Sequence, residues 1–470
     1  MVPFMSNQIT ANAPINPELA DLAAQLLDHA KKAGAYAAEV VVGEAESLTV
    51  GLRLGKLEKL ERAETREVGL RVFLPPSNAS KTDQGWSVAS VSTSRLAPQD
   101  LPQLASQAVE MAKAAPPDAY AGLAEPHQLA KNWPELDLYD PTEPDVAALQ
   151  AQVAAMEGAA LAVKGVVNSE GAAAEWQRSS RFFVTSNGFV GGYRVSNSML
   201  SITAIAKDQN GEMEQDYDYA LTRFRQDLPA PELLGSTAGQ LAVKRLNPKK
   251  LSTATMPVVF APRVARGLVG HILAAISGAA ITRRASFLLD HLGKSIASNQ
   301  ITLVEDPHRQ RGLRSRPFDA EGIASIGRKL VEGGVLQHYL LDLASARQLN
   351  MTPTGHAVRA MAGTPHPSVS NVWLAPGSLS VPELIGDITY GLYVTDLMGM
   401  GVNLVTGDYS QGANGYLIVN GQIAEAVSEV TIASKLQEML AELTPANDLV
   451  LRYGIDAPTL RINRMTIAGK

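Results

Sequence analysis

The sequence predicts an α+β fold in which most strands are antiparallel. Three patterns lead to this prediction: runs that alternate apolar and polar residues, Asn-Gly pairs between such runs, and a few segments with the helical spacing of apolar residues. The Asn-Gly pairs begin at Asn187, Asn210 and Asn420. Because both residues of such a pair accept positive φ angles, these positions favour tight hairpin turns. Hairpins combined with separate helices are typical of the α+β class.

The chain divides by composition into five segments. We expect residues 1–15 to be a disordered tail and residues 16–116 to form an N-terminal helix-and-sheet domain. Residues 117–144 are rich in proline, alanine and acidic residues, a composition that favours an extended linker. Residues 145–250 are predicted as a hairpin-rich middle region, and residues 251–470 as a C-terminal, mainly antiparallel β domain around a central buried helix.

The N-terminal segment begins and ends with predicted helices. The first starts at Asn16-Pro17-Glu18, which supplies an N-cap, a proline at the first helical position and an acid in the first turn, and it ends at Gly34. The second helix is expected near Leu101 to Ala115, before the Pro116-Pro117 pair. The expected strands between the helices are Ala38 to Val42, Ser47 to Leu54, Lys56 to Ala63, Val68 to Leu74 and Trp86 to Ser92.

The middle region contains a helix from Asp145 to Lys164 and then an acidic cluster. Four acids there recur with a period of two, so they share one face of an extended strand. This spacing does not match a compact calcium-binding loop, and we therefore expect a solvated strand face. The four acids are Glu212, Glu214, Asp216 and Asp218.

The C-terminal segment opens with a buried strand that leads into a helix. Val258 to Phe260 are predicted as strand, and Pro262 stops the pairing and presets φ for a helix up to Ser277. The helix carries His271 among apolar residues and small ones. Its glycines Gly267, Gly270 and Gly278 are expected to permit close backbone approach.

His271 is the candidate metal ligand of this helix. A catalytic zinc site needs about three protein ligands and a nearby carboxylate that takes a proton from the bound water. The other seven histidines form no HxxxH, HxH or HExxH pair. We therefore interpret His271 as a buried or cleft histidine rather than a zinc ligand.

A glycine-rich run from Gly399 to Gly415 is the best candidate for a peptide-binding edge. Glycines within strands often mark bulges or places where a ligand approaches the backbone closely. The candidate binding residues are Gly399, Gly401, Ser410, Gly412 and Gly415.

Four arginines lie close together after Glu305-Asp306. Such a loop could bind phosphate or an acidic peptide, but aspartates flank it and no aromatic residues interleave with the arginines. An ordinary exposed loop is the favoured interpretation. The four arginines are Arg309, Arg311, Arg314 and Arg316.

Composition limits the function classes. The chain has 41 Lys plus Arg and 47 Asp plus Glu, a net charge of −6, which argues against a nucleic-acid binder. It has no cysteine, which fits a reducing compartment, and we see no secretory signal. The longest uncharged apolar stretch, Gly267 to Thr282, is shorter than the roughly 20 residues of a membrane span. We expect a soluble, cytoplasmic protein that binds no membrane.

Four segments resemble the TldD/PmbA family, peptidase family U62, and specifically its PmbA or TldE branch. They are residues 260–294, 315–322 (SRPFDAEG), 354–357 (TGHA) and 391–433. In the TldD branch the helix that matches 262–277 carries His-Glu-x-x-x-His, and a later cysteine completes the zinc site. Here His271 matches the first histidine, Ile272 and Ile276 stand at the positions of the glutamate and the second histidine, and the chain has no cysteine.

The resemblance implies a non-catalytic subunit of a cytoplasmic metalloprotease. It implies a heterodimer with a TldD-type subunit that holds the zinc, no cofactor in this chain, unfolded peptides as substrates, and roles in peptide-antibiotic maturation and antitoxin degradation. A homodimer of the isolated chain is the other assembly considered. Two other functions stay open: a metallopeptidase active on its own, with His271, His356 and His366 as places to look for ligands, and a non-enzymatic modulator of DNA gyrase.

Overall fold

The first half of the chain forms one seven-stranded antiparallel sheet. The computed structural model describes residues 17–75, 85–399 and 401–469, so the predicted tail 1–15 lies outside the described residues. The strand order is β4-β3-β2-β1-β5-β6-β7. The elements are α1 (Pro17–Lys32), β1 (Ala37–Arg53), β2 (Lys56–Leu74), β3 (Trp86–Thr93), α2 (Leu101–Ala114), β4 (Pro117–Asp118), α3 (Val146–Leu161), β5 (Val166–Thr185), β6 (Val190–Lys207), β7 (Met213–Thr222) and α4 (Pro231–Lys244).

Within the part of the chain that the structure describes, helices cover only one face of this sheet. Helices α1 and α2 pack on the half formed by β1, β2 and β3, around Leu26, Leu70 and Leu101. Helices α3 and α4 pack on the other half, around Met156 and Trp176. Because successive side chains of a strand point to opposite faces, every second residue of these strands faces away from the helices.

Two features of this half differ from the prediction. Four predicted short strands join into the long strands β1 and β2, which are connected by a tight turn at Leu54 and Gly55 with φ angles of 49° and 72°. Helix α4 was not predicted. It crosses α3 so closely that a Cβ atom at Gly235 would lie 1.9 Å from the Met156 carbonyl oxygen, so glycine is required there.

The second half is built on a closed β-barrel. The strand order is β17-β16-β15-β8-β20-β18, and β20 also pairs with β17, which closes the ring. A five-stranded mixed sheet lies beside it in the order β11-β10-β9-β14-β19. The elements are β8 (Ala254–Phe260), α5 (Pro262–Ala275), α6 (Gly278–Thr282), β9 (Leu303–Asp306), β10 (Arg328–Glu332), β11 (Val335–Leu336), α7 (Leu343–Gln348), β12 (Ala357–Val358), β13 (His366–Pro367), β14 (Asn371–Leu374), α8 (Val381–Ile385), β15 (Tyr390–Met398), β16 (Asp408–Val419), β17 (Gln422–Lys435), α9 (Leu436–Glu442), β18 (Thr444–Pro445), β19 (Ile455–Asp456) and β20 (Leu460–Ala468).

The predicted fold class is confirmed. All three Asn-Gly pairs lie in turns between antiparallel neighbours: Asn187 between β5 and β6, Asn210 between β6 and β7, and Asn420 between β16 and β17. The helix predicted from Pro262 is α5. No helix among the described residues is long and apolar enough to cross a membrane.

The two halves are joined by a buried ionic and aromatic contact. Glu39 of β1 accepts hydrogen bonds from Arg71 of β2, at 3.2 Å, and from Arg359, which follows β12 in the second half. Beside this contact, Phe318 of the second half packs edge-on against Phe189 of the first, with ring centres 4.9 Å apart. The helix-free face of the sheet is therefore partly covered by the second half.

Candidate substrate groove and the degenerate metal helix

Helix α5 has one buried face and one open face. It begins at Pro262, directly after β8, and its apolar residues point into the main core of the second half. Ile272 and Ile276 are 2% and 0% exposed. The opposite face carries Gly267, Gly270 and Ala274, and a Cβ atom at either of these two glycines would meet nothing within 4 Å. The expectation of close backbone approach is therefore wrong for these glycines.

Gly278 behaves as expected. A Cβ atom there would lie 2.4 Å from the Ser345 hydroxyl oxygen of α7. Its backbone N–H donates a 2.7 Å hydrogen bond to the Leu340 carbonyl. The chain therefore turns out of α5 against α7 at a position where a side chain does not fit.

His271 lies between the two faces of α5. Its ring is half-buried and stands edge-on to Tyr409 of β16, with ring centres 6.0 Å apart. Burial lowers the pKa of His271 and raises that of Tyr409. The Tyr409 hydroxyl donates a 3.0 Å hydrogen bond to the Gln411 side-chain carbonyl. His271 is thus half-buried and has an aromatic neighbour.

The residues at the family's zinc position do not fit a zinc ion. Zinc needs nitrogen, oxygen or sulfur donors, whereas Ile272 and Ile276 offer only alkyl groups that contribute to the core. Within the described ranges, no three His, Asp or Glu side chains come together in a way that could hold a metal. We therefore derive no reaction step through a metal bound to α5.

His356 is held in a separate buried network. Its Nε2 lies 2.7 Å from a Glu305 carboxylate oxygen, and its Nδ1 lies 2.8 Å from the Thr354 hydroxyl. Ser370 donates its N–H and its hydroxyl to Glu305, each at 2.8 Å. Burial raises the pKa of Glu305, but the hydrogen bonds from His356 and Ser370 outweigh burial and lower the pKa to about 2. Both ring nitrogens of His356 are engaged, while His366 is exposed on β13.

The glycine-rich run lies at one end of the β15–β16 hairpin. Gly399 follows β15 with a φ of 89°, and Gly401 runs beside Ser410, whose N–H donates a 2.7 Å hydrogen bond to the Gly401 carbonyl. A Cβ atom at Gly401 would lie 1.9 Å from the Ser410 carbonyl oxygen. Gly401 is therefore needed for backbone packing, whereas a Cβ atom at Gly399 would meet open space.

The later glycines of the run lie inside the barrel wall. Gly412 pairs with Met398 of β15 and with Thr431 of β17. A Cβ atom at Gly415 would lie 1.9 Å from the Tyr393 carbonyl oxygen, beside an irregularity in the pairing. Strand β16 thus has neighbours on both sides and is not an edge strand. Peptide binding by these residues stays a prediction.

The acidic cluster on β7 is not a uniformly solvated face. Glu212 is exposed, but Asp216 is buried and pairs with Arg263 of α5 at 2.8 Å and with Arg245 at 3.0 Å. Arg245 also lies 3.5 Å from Asp396 of β15. The prediction of a solvated face is wrong for Asp216. A period of two along one strand shows which residues share a face, but it cannot show that this strand packs against α5.

The arginine-bearing loop also differs from the prediction of an exposed loop. Arg316 is buried and donates to the Ser368 carbonyl, and Arg314 is half-buried and donates to carbonyls of Val369 and Ser370. The guanidinium of Arg311 lies 3.8 Å from the ring centre of Phe224 and pairs with two aspartates. Aromatic stacking is present, but the aromatic residue is distant in sequence.

An open groove begins on the helix-free face of the sheet. Four paired positions of β1, β5, β6 and β7 form its floor: Gly51, Ala173, Ser201 and Tyr219. These positions alternate with helix-facing core residues, and three of them are small. They help line a cavity of about 480 Å³, within the usual size of small ligand sites.

The groove continues towards α5 and a second cavity. Arg263 and Arg266 of α5 lie over the rings of Tyr217 and Tyr453, at 4.2 and 4.6 Å from the ring centres. The second cavity has a volume of about 560 Å³ and shares Asp218 and Tyr219 with the first. The two cavities therefore adjoin at Asp218 and Tyr219, close to the N-terminal part of α5.

Sequence reasoning missed the tyrosines of this groove. Tyr217 and Tyr219 alternate with Asp216 and Asp218 in the run DYDY, so a period of two was visible for the aromatic residues as well as for the acids. Exposed aromatic residues on an edge strand were the available signal. Tyr453 comes from a distant segment, and nothing local indicated that its ring would lie 4.9 Å from Tyr219.

Three family models match the chain. They are the PmbA/TldA metallopeptidase domain 1 over residues 38–112, the central domain over 139–246 and the C-terminal domain over 253–469. The chain is 36% identical to metalloprotease PmbA of Escherichia coli O157:H7, with 92% of each chain covered. It is 36% identical to a PmbA homologue of Haemophilus influenzae, with 96% of each covered.

Solved structures show the same fold. A putative modulator of DNA gyrase from Bacteroides thetaiotaomicron superposes with a TM-score of 0.87 at 26% identity, covering 97% of this chain and all of that one. TldE from Thermococcus kodakarensis gives a TM-score of 0.82 at 21% identity, covering 95% of this chain and all of that one. The family models cover more than half of the chain, and the PmbA relatives match over nearly its whole length. The chain therefore belongs to the PmbA/TldD metallopeptidase family, on its PmbA/TldE side.

Proposed function

We propose that this chain is the substrate-holding subunit of a cytoplasmic metalloprotease complex, and that a TldD-type partner supplies the zinc. In this proposal the complex cuts unfolded peptides, as in peptide-antibiotic maturation or antitoxin degradation. The proposal combines family membership with the state of the α5 helix in this chain.

The observation that carries the proposal is the burial of Ile272 and Ile276. A side chain that replaced a zinc ligand but kept its place in a binding site would still face the open side of the helix. These two side chains are instead packed in the core, 2% and 0% exposed. A general base at position 272 would bury a carboxylate there, which is costly without a partner. The packing around α5 thus favours a structural role for positions 272 and 276 over a role in metal binding.

The open groove supports a role in holding substrate. Its floor of Gly51, Ala173 and Ser201 leaves room above the sheet, and the tyrosines at its edge offer flat apolar surfaces. Aromatic side chains contribute binding through large contact areas and retain a polar group for hydrogen bonding. Extended peptides of different sequences fit such a surface.

Metal content and peptide cleavage, measured with and without the partner, test the proposal. We expect no stoichiometric zinc and no casein cleavage for the purified chain, and both zinc and cleavage after addition of a TldD-type subunit. The physical reason is the missing donor set: general-base loss alone typically costs about 10²–10⁴ in rate. Near-equimolar zinc together with chelator-sensitive cleavage by the chain alone would overturn the proposal.

Two further measurements sharpen this test. If the chain alone were active, His271→Ala would separate a site at α5 from a site elsewhere. In the proposed complex, the same substitution leaves the zinc content of the partner unchanged. Size-exclusion chromatography of the two mixed subunits should show one heterodimeric species, and two separate species would contradict the assembly.

A further inference from the structure

We propose that the cavity between β7 and the 451–453 segment binds the C-terminal carboxylate of a peptide that lies along the open groove. This inference rests on the proposed function and names one end of its substrate. The cavity holds about 560 Å³ and is lined by Tyr219, Tyr453, Arg309 and Arg452 among others.

The charge of the cavity favours an anion although the chain as a whole is acidic. Four arginines and two aspartates line it, in a chain whose net charge is −6. Arg311 is neutralised, because it pairs with Asp227 at 3.0 Å and with Asp137 at 2.6 Å. The other three lining arginines, Arg223, Arg309 and Arg452, take part in none of the ion pairs among the described residues.

Arg223 contributes a buried positive charge. It donates hydrogen bonds to the carbonyls of Gly312, Leu313 and Ser196 and to the Asn197 side chain. These acceptors fix the guanidinium but carry no full negative charge. Burial lowers the pKa of Arg223 to about 10, so the group is still protonated at neutral pH. A fixed cation at the wall of a cavity attracts a carboxylate without reorganisation.

Arg309 and Arg452 are placed to contact the ligand directly. Both residues line the cavity and come from different loops. Asp218 is in none of the arginine ion pairs among the described residues. Burial raises its pKa and outweighs the lowering by the Tyr219 N–H and by the charges of Arg452 and Arg263. The remaining arginine charge therefore exceeds the acidic charge of the cavity.

The position of the cavity argues for a peptide end rather than a free anion. It shares Asp218 and Tyr219 with the cavity on the open sheet face. Tyr219 and Tyr453 stand 4.9 Å apart at this junction, where they form an aromatic wall for the last side chain of a peptide. A chain lying over Ser201 and Tyr219 would thus end among the arginines.

The test compares one unfolded peptide of about ten residues as the free acid and as the C-terminal amide, labelled at its N-terminus. Fluorescence anisotropy with the full-length protein should show at least about tenfold tighter binding of the free acid, as expected for a charge-assisted hydrogen bond. Arg309→Gln/Arg452→Gln should bind both peptides as weakly as the wild type binds the amide. Arg95→Gln, at an exposed position of the first half, is the matched control and should retain the preference.

The outcomes separate this inference from the proposed function. Equal binding of both peptides by the wild type overturns the carboxylate site but leaves the groove function standing, whereas binding of neither peptide counts against both. A preference that survives in the double variant places the site elsewhere. If inorganic phosphate displaces the free acid at concentrations below the peptide's own Kd, the cavity is a general anion site and the inference fails. An unchanged thermal transition shows that the double variant is folded, and Arg309→Gln alone repeats the test if it is not.

Discussion

At the residue scale, the α5 region places two isoleucines in the core and leaves its histidine half-buried. Ile272 and Ile276 pack in the main core of the second half, while His271 remains half-buried beside Tyr409. The first histidine position lies off the buried face of α5, so it could be kept without disturbing the core. The two other positions point inwards, where apolar side chains stabilise the fold by removing their surface from water.

We predict a large difference in stability between two substitutions on this helix. Ile276→Ala should lower the free energy of unfolding by about 2–5 kcal/mol, because it leaves a cavity in a closely packed core. His271→Ala should change it by less than about 1 kcal/mol, because this side chain is half-buried. Urea unfolding followed by intrinsic fluorescence measures both. Equal tolerance at the two positions would contradict the structural role of Ile276.

A second prediction at the residue scale concerns the stability that Glu305 contributes at different pH values. The pKa of Glu305 is lowered to about 2 in the folded protein, against an ordinary value of 4.5. The folded protein therefore takes up this proton less readily than the unfolded chain, and the resulting stabilisation is complete above about pH 4.5 and lost as the pH falls towards 2. The difference corresponds to about 3 kcal/mol.

Glu305→Gln removes this pH dependence and is the variant to compare. We expect the wild type to be the more stable protein at pH 7, with the gap narrowing as the pH falls below 4.5. Thermal unfolding at a series of pH values measures the gap. A gap that stays constant from pH 7 to pH 3 would show that Glu305 does not gain its stabilisation as a carboxylate.

At the level of single residues, the sequence shows residue types directly but not the contacts between distant residues. The absence of zinc donors at 272 and 276 can be read directly from residue types. The meeting of Tyr219 with Tyr453, and of Arg223 with Gly312, depends on how two halves of the chain pack. No local pattern encodes such contacts, so the groove could be found only in the folded structure.

Among the elements, strand β7 combines an edge position in the sheet with a buried carboxylate. It is the last strand of the large sheet, yet its Asp216 is buried against Arg245 and Arg263. An edge strand normally presents its polar groups to water, but here one carboxylate connects the sheet to the start of α5. Because Arg263 lies at the positive end of the helix dipole, a nearby carboxylate is needed to balance its charge.

We predict that two acids of the 212–218 cluster differ sharply in their contribution to stability. Asp216→Asn should destabilise the protein by about 3–5 kcal/mol, because it leaves two arginines without their buried partner. Glu212→Gln removes a charge from an exposed position just before β7 and should shift stability by no more than about 0.5 kcal/mol. Thermal unfolding of both variants at neutral pH provides the comparison. A similar loss in both would mean that Asp216 is solvated, as the sequence pattern alone had suggested.

Local signals account for the elements that were predicted well. The Asn-Gly turns and the Pro262 helix start depend on the φ angles of one or two residues, and all of them are present. The uninterrupted length of β1 depends on pairing with β2 and β5, which holds residues 43–46 extended although they show no clear alternation. Closure of the barrel between β17 and β20 and the close α3–α4 crossing at Gly235 are likewise non-local.

On the scale of the whole molecule, the buried contact between the halves is both polar and apolar. Arg359 is buried, and its guanidinium lies 4.9 Å from the ring centre of Phe183. Next to it, the loop that carries Met361 lies against the sheet so closely that a Cβ atom at Gly69 would be 2.0 Å from the Met361 carbonyl oxygen. At this contact, each half therefore shields residues of the other half from water.

We therefore predict that the two halves unfold together. Differential scanning calorimetry of the wild type should show one transition, with agreement between the calorimetric and van't Hoff enthalpies. Arg359→Leu removes one of the two cations from buried Glu39, which should cost about 3–5 kcal/mol at the contact and separate the single transition into two. Arg464→Leu changes an exposed arginine of β20 and should leave one transition. Two transitions in the wild type would show that the halves are stable independently. A single unshifted transition in Arg359→Leu would show that Arg359 does not couple them.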